Sequence, residues 1–101
     1  MELAIKELKK LLEEADIPHI DLTEQFPMRQ ILYIPKGENE EICSIIQGLY
    51  SYGGKDNLLE TKGLTENGKK NEEKVIGYLT AQEAFQIINK HWRKYNRKEK
   101  L

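Results

Sequence analysis

The spacing of apolar residues changes twice along this chain, and this change sets the class of fold. Residues 2–15 and 80–95 place apolar side chains at the three- and four-residue intervals of an amphipathic helix. Between them lie short runs rich in β-branched and aromatic residues, bounded by turn residues, which is typical of strands. The chain of 101 residues is therefore expected to form a single domain, residues 1–101, of the α+β class.

The last helix has the clearest local signal. Thr80-Ala81-Gln82-Glu83 is a capping box, and Leu79 and Ala84 flank it as a hydrophobic staple. Its apolar stripe consists of Ala81, Ala84, Phe85, Ile88, Trp92 and Tyr95. The first helix is expected to end before Pro18, because the residue before a proline disfavours helical geometry.

Three extended segments are predicted at residues 19–26, 29–35 and 42–49. Only a short polar loop joins the last two, which implies that they are antiparallel neighbours. We therefore predict a three-stranded antiparallel meander with the N-terminal and C-terminal helices packed on one face.

A short helix is predicted after the meander, which gives the order α-β-β-β-α-α. Asp56 is its expected N-cap, the helix continues through Leu58, Leu59 and Glu60, and Gly63 suits the C′ position. Residues 66–74 contain no apolar side chain and are predicted to be an exposed charged loop.

Charge is distributed unevenly. Residues 90–101 hold six Lys or Arg and one Glu, a net of +5, so the first 89 residues carry −6 of the total −1. Residues 96–101 are predicted to be a basic tail. Nucleic-acid binding through this tail is the weakest of the hypotheses, because Trp92 and Tyr95 fall on the predicted core stripe and the helix dipole explains the basic end.

The chain has one cysteine, Cys43, which fits a reducing compartment. Its first residues lack the basic leader and apolar core of a signal peptide, and no apolar run is long enough to span a bilayer. We expect a cytoplasmic protein without membrane association.

No residue pattern favours catalysis, so the chain is predicted not to be an enzyme and to need no cofactor or metal. Cys43 lies in a predicted strand, where cysteine is usually a small core residue, and a nucleophilic role would require His19 or His91 beside it. No cysteine and histidine spacing is typical of zinc, and no acidic pattern is typical of calcium.

The best candidate site is the join that follows the third predicted strand. A glycine-rich turn that enters a helix exposes backbone N–H groups, which suits a phosphate, and a lysine adds charge. The candidate ligand-binding residues are Tyr50, Ser51, Tyr52, Gly53, Gly54 and Lys55. The spacing is not that of a Walker motif, and two alternatives remain: a plain turn in which glycines supply positive φ, and a protein-contact surface.

Several motifs together resemble small uncharacterised proteins encoded by phages and prophages of Gram-positive bacteria. The motifs are Ala-Asp-Ile-Pro at 15–18, Ile-Cys-Ser-Ile-Ile at 42–46, Ser-Tyr-Gly-Gly at 51–54, Leu-Leu-Glu at 58–60 and Gly-Tyr-Leu-Thr-Ala at 77–81. The resemblance covers roughly residues 8–92. The chain differs from these relatives at Thr61-Lys62-Gly63 and in the lysine-rich loop, where the relatives continue into an acidic loop.

This resemblance implies a non-enzymatic accessory protein, with counter-defence as one role. Two functions are expected from different classes. In the first, the protein sequesters a small phosphate-containing ligand such as a nucleotide: Tyr50 and Tyr52 stack on it, Gly53 and Gly54 donate backbone hydrogen bonds, and Lys55 supplies charge. In the second, a surface helix or sheet edge binds and inhibits a host protein. A homodimer is the default oligomer, because a three-stranded sheet leaves an edge to pair.

Overall fold

A computed structural model describes residues 2–37 and 40–99 of the chain. Along the chain, one helix precedes five strands and a second helix follows them. The elements are α1 (Ala4–Glu14), β1 (His19–Leu22), β2 (Met28–Tyr33), β3 (Cys43–Gly48), β4 (Leu59–Leu64), β5 (Lys70–Leu79) and α2 (Ala81–Glu99).

The strands form one antiparallel sheet in the order β1-β2-β3-β4-β5, so every strand pairs with its neighbour in sequence. This confirms the α+β class with an antiparallel sheet and two helices. The predicted number of three strands is wrong, because the sheet has five. The first three strands overlap the three predicted segments, and the errors lie in residues 54–79.

The predicted short helix after Asp56 is wrong. A single 3₁₀ turn spans Gly54–Asp56, and the chain then enters β4. Leu59 and Thr61 are buried, whereas Glu60 and Lys62, which alternate with them, are less buried, and this is the two-residue period of a strand. Gly63 is not a helix C′ residue: it lies in β4 with φ of 123°, at a register shift against β5.

The predicted loop at 66–74 is also wrong in its second half. A tight turn ends at Gly68, whose N–H donates to the Thr65 carbonyl, while the Thr65 N–H donates to the Lys69 carbonyl. β5 begins at Lys70 and pairs with β4 as far as Leu64↔Lys70. This part of β5 is an edge strand whose side chains are mostly exposed, so it needs no apolar residues: Lys70 and Asn71 pair with β4, and Lys74 forms an ion pair with Glu66.

Both helices pack on the same face of the sheet and contact each other. Helix α1 buries Ala4, Ile5, Leu8 and Leu12. Helix α2 buries Ala81, Ala84, Ile87 and Ile88, with Phe85 and Trp92 packed at the margin of the core. The sheet contributes the inward-facing residues of its strands, among them Ile31, Tyr33, Cys43, Ile45 and Leu59.

The predicted helix boundaries are close to those observed. The Glu83 N–H donates to the Thr80 hydroxyl at 3.1 Å and the Thr80 N–H donates to the Glu83 carboxylate at 2.9 Å, so the capping box forms. Helix α1 ends at Glu14. Just after it, Asp16 has a φ of 54° and the Ile17 N–H donates back to the Leu12 carbonyl.

The predicted basic tail begins inside helix α2, which continues to Glu99. Lys100 and Leu101 lie outside the described residues, as do Glu38 and Asn39 of the predicted polar loop.

Candidate functional site

An antiparallel meander sends its connections alternately to the two ends of the sheet. The β1–β2 turn, the β3–β4 connection and the end of β5 therefore share one end. We call this the aromatic end, for the exposed side chains described below. The β2–β3 loop, the β4–β5 turn and the second half of α2 share the opposite end, which we call the basic end.

The predicted site lies in the β3–β4 connection at the aromatic end, residues 49–58. Ser51 is buried there and closes the turn that leaves β3. Its hydroxyl donates to the Gly48 carbonyl and accepts from the Gly48 N–H, each at 2.9 Å. Ser51 therefore has a structural role that uses its hydroxyl within the loop.

The two adjacent glycines are required by backbone packing. Gly53 has a φ of 98°, and a Cβ there would lie 2.9 Å from the Tyr78 Cα. A Cβ at Gly54 would overlap the carbonyl oxygen of Gly48. Only glycine fits either position without moving the backbone.

The amide of Asn57 ties the same connection to helix α1, whose N-cap residue Leu3 provides no side-chain cap. Asn57 Oδ1 accepts from the Ala4 N–H at 2.9 Å and from the Gln47 amide at 2.7 Å. Gln47 Oε1 in turn accepts from the Ile5 N–H at 3.0 Å. Side chains distant in sequence thus satisfy the first N–H groups of the helix, which otherwise lack partners.

The backbone donors of the loop are largely directed inward. The Gly54 N–H donates to the Ser51 carbonyl, and the Tyr52 N–H donates to the Glu60 carboxylate at 2.9 Å. A carboxylate already occupies the position that an anionic ligand would take on Tyr52. Of the six predicted site residues, the structure places Tyr50, Tyr52 and Lys55 on the surface, and it uses Ser51, Gly53 and Gly54 to build the loop.

Large apolar side chains are exposed together at this end. Tyr50 is 89% exposed and Phe26, in the β1–β2 turn, is 87% exposed. Leu49, Tyr52 and Tyr78 are also exposed. The backbone joins Tyr52 and Tyr78, because the Tyr78 N–H donates to the Tyr52 carbonyl at 3.1 Å. These five residues, Phe26, Leu49, Tyr50, Tyr52 and Tyr78, form the aromatic surface.

The β1–β2 turn that carries Phe26 is held by a charged cluster. Asp21 accepts from the Thr23 N–H at 2.9 Å and from the Thr23 hydroxyl at 2.6 Å, and it pairs with Lys9 of α1 at 2.9 Å. Burial raises the pKa of Asp21, but the two Thr23 hydrogen bonds and Lys9 outweigh it, so the pKa falls to about 2. Asp21 is therefore ionised at neutral pH, which suits both its hydrogen bonds from Thr23 and its ion pair with Lys9.

The surroundings of His19 and Cys43 are those of structural residues. The His19 ring lies 2.8 Å from the Ile17 carbonyl, and Cys43 is buried in β3. Burial raises the pKa of the Cys43 thiol to about 12, which is opposite to the shift that activates a nucleophile. Among the residues described, no cluster of three or more His, Cys, Asp or Glu side chains is arranged to hold a metal ion.

His91 belongs to a ring cluster at the basic end. Its Nδ1 lies 2.8 Å from the hydroxyl of the buried Tyr33, and its ring stacks on Tyr95, which stacks in turn on Trp92. Burial lowers the pKa of His91, and the nearby charges of Lys70 and Lys94 lower it further. The pKa of Tyr33 is raised, mainly by burial.

The basic end gathers cations from two elements. Asn67 and Lys69 of the β4–β5 turn lie beside four basic residues of α2, and together they line a cavity of about 510 Å³. The four residues of α2 are Lys90, Arg93, Lys94 and Arg97.

Sequence reasoning missed Phe26, Leu49 and Tyr78 as parts of one surface. The sequence pattern assigns each of these residues to a separate segment, and only the meander topology brings the three segments to one end of the sheet. Asn57 was missed as well, although Asn is the non-glycine residue best suited to its φ of 58°.

Comparison of the chain with protein-family models, with curated proteins and with solved structures finds no match. In the part of the chain that the structure describes, neither helix has the length and apolar character needed to cross a membrane.

Proposed function

We propose that this protein acts by binding and that its aromatic surface docks on a partner protein. The observation that carries the proposal is the location of the exposed large apolar residues. Six such side chains are exposed among the described residues, and five of them lie at the aromatic end. Monomeric soluble proteins rarely expose large contiguous apolar patches, and tyrosine is enriched in protein interfaces.

The construction of this end supports the proposal. The Ser51 turn, the two glycines and Asn57 fix the backbone that presents Leu49, Tyr50 and Tyr52, so the surface is ordered before it meets a partner. A preorganised aromatic surface loses little conformational entropy on binding. The resemblance to phage and prophage proteins leads us to propose a host protein as the partner and its inhibition as the outcome.

The test is capture of the partner by variants that alter only the aromatic surface. Phe26→Ser and Tyr50→Ser remove the two most exposed rings, and both are expected to leave the free energy of unfolding unchanged. Val75→Ser is the matched control, because Val75 is the sixth exposed apolar residue and lies outside the aromatic end. We expect a host protein that co-purifies with the wild type and with Val75→Ser to be lost in Phe26→Ser and Tyr50→Ser. Equal capture by all four forms contradicts the proposal, and a second copy of the chain as partner is identified by sedimentation.

A second candidate is sequestration of a nucleotide at the same end. It is favoured by the exposure of the Tyr50 and Tyr52 rings on the loop that carries the exposed Lys55. Native mass spectrometry after exposure to a metabolite extract tests it directly. A nucleotide-sized adduct that Lys55→Ala abolishes and Lys62→Ala retains establishes this function, and a ligand-free spectrum of the wild type excludes it for that extract.

A further inference from the structure

We propose that the groove at the basic end binds the phosphate backbone of a nucleic acid. The groove is the 510 Å³ cavity lined by Asn67, Lys69, Lys90, Arg93, Lys94 and Arg97. This inference is independent of the aromatic surface, which lies at the other end of the sheet.

Two elements distant in sequence build the groove. The β4–β5 turn packs directly on α2: a Cβ at Gly68 would lie 2.7 Å from the Lys90 Cβ and 2.8 Å from the His91 nitrogen. The Lys90 ammonium donates to the Glu66 carbonyl at 3.3 Å, which joins the turn to the helix a second time. This packing places Lys69 beside the cations of α2. The helix dipole accounts for basic residues in the last turns of a helix, but it does not account for Lys69.

In the described part of the chain, no carboxylate pairs with the cations of the groove. Among the described residues, none of the five Lys and Arg side chains of the groove forms an ion pair with a carboxylate, whereas Lys6, Lys9 and Lys10 of α1 each do. The nearest acidic residue in the turn, Glu66, pairs with Lys74 instead. All five cations are exposed, so a ligand can reach them.

The arrangement matches a polymer better than a small anion. Lys90, Arg93, Lys94 and Arg97 follow one face of α2 over about 10 Å, at 1.5 Å per residue. Along the axis of a duplex this length carries about six phosphates, at about 1.7 Å each with both strands counted, so several cations can each meet a phosphate. The four residues occupy positions i, i+3, i+4 and i+7 of the helix, so their charges form a row along one face. Trp92 and Tyr95 stack on each other and are partly buried, so the contact is expected to be with phosphates and not with bases.

Fluorescence anisotropy with a labelled 20-base-pair DNA duplex and a 20-nucleotide RNA tests the proposal. Five contacts predict that log K falls with log salt with a slope of about −4.5 for the duplex and about −3.5 for the single strand. Arg93→Glu/Lys94→Glu is expected to reduce affinity about tenfold or more and to make the slope shallower by about 2. Lys69→Glu is expected to weaken binding too, although it lies outside the helix.

The matched control is Lys10→Glu/Lys62→Glu, which changes net charge equally but alters exposed lysines outside the groove. We expect it to change affinity by less than about threefold, because its lysines do not contact the ligand. Circular dichroism checks that every variant folds. Three results overturn the proposal: neither nucleic acid binds at 50 mM salt, both charge reversals weaken binding equally, or inorganic tripolyphosphate binds while nucleic acid does not. An acidic protein that requires the groove while nucleic acid fails to bind overturns it as well.

Discussion

The two ends of the sheet differ in which side chains and backbone groups find their partners within the protein. At the aromatic end, the polar groups of the β3–β4 connection bond to one another and to α1, and the side chains left facing solvent are large and apolar. At the basic end, apolar rings pack inward around His91, and the groove presents five exposed cations for which the described residues provide no carboxylate partner. The same sheet therefore presents one surface suited to a protein and another suited to a polyanion.

The difference also shows why charge alone is a poor guide to a site. Helix α1 also carries three lysines, yet each pairs with Glu24, Asp21 or Glu2. The cations of α2 become informative only because the structure shows no such pairing among the residues it describes.

The largest effect is expected at Gly54, where any side chain must move the backbone of the aromatic end. Gly54→Ala is expected to lower the free energy of unfolding by about 3 kcal/mol or more, because its Cβ overlaps the Gly48 carbonyl. Urea unfolding measures the change. Gly37→Ala is the control: Gly37 has a positive φ of 110° but open space around it, so about 1 to 2 kcal/mol is expected from backbone strain alone. Equal losses in the two variants would show that the contact with the Gly48 carbonyl does not fix the join.

Asn57→Ala is expected to lower the free energy of unfolding by about 2 kcal/mol. The substitution leaves the Ala4 N–H and the Gln47 amide without their shared acceptor. Asn71→Ala is the control, because Asn71 makes an exposed local bond to the Glu73 N–H and is expected to matter by a few tenths of a kcal/mol. If both variants unfold at the same urea concentration, Asn57 does not link the join to α1.

A smaller effect is expected from Asp21, and it depends on pH. Its folded pKa of about 2 lies below the ordinary value of 3.8, so its stabilisation is present above pH 3.8 and is lost as pH falls toward 2. Asp21→Asn is expected to cost no more than about 1 kcal/mol at pH 7, after allowance for solvent screening. Unfolding curves at several pH values check this. A stability difference from the wild type that stays constant from pH 7 to pH 2 would contradict the assignment.

The smallest effect concerns the positive charges around His91 at the basic end. Burial, Lys70 and Lys94 all lower the pKa of His91. Lys94→Gln is therefore expected to raise the pKa of His91, whereas Lys62→Gln, whose lysine is not among the charges that act on the ring, is expected to leave it unchanged. Titration of the His91 ring proton by NMR measures both. No response to Lys94→Gln would show that the positive potential at this end is weak.

Most of the elements that the sequence predicts have an apolar face turned toward the core. Both helices, β2 and β3 have buried apolar faces and β1 has a partly buried one, so their periods are visible in the residues. The first half of β5 has none: its side chains are polar and mostly exposed, so the sequence pattern there predicts a loop. One local signal was available: Asn67-Gly68 is typical of a hairpin turn.

The candidate site was only partly predictable. The glycines and tyrosines of residues 50–54 mark an unusual backbone, and the structure shows that packing against Gly48 and Tyr78 requires it. Whether their polar groups face a ligand or the protein depends on Glu60 and Asn57, which reach the join through tertiary contacts. The groove at the basic end depends likewise on the packing of Gly68 against α2, which no local pattern encodes.

The most direct test of the central claim, that the aromatic end is the protein-binding surface, is site-specific photocrosslinking in a Gram-positive host. A benzophenone side chain replaces Tyr50 in one variant and Glu73, an exposed residue of the β5 edge, in another. The account predicts one discrete crosslinked host protein from position 50 and none from position 73. Crosslinks from position 73 alone, or the same products from both positions, would contradict it.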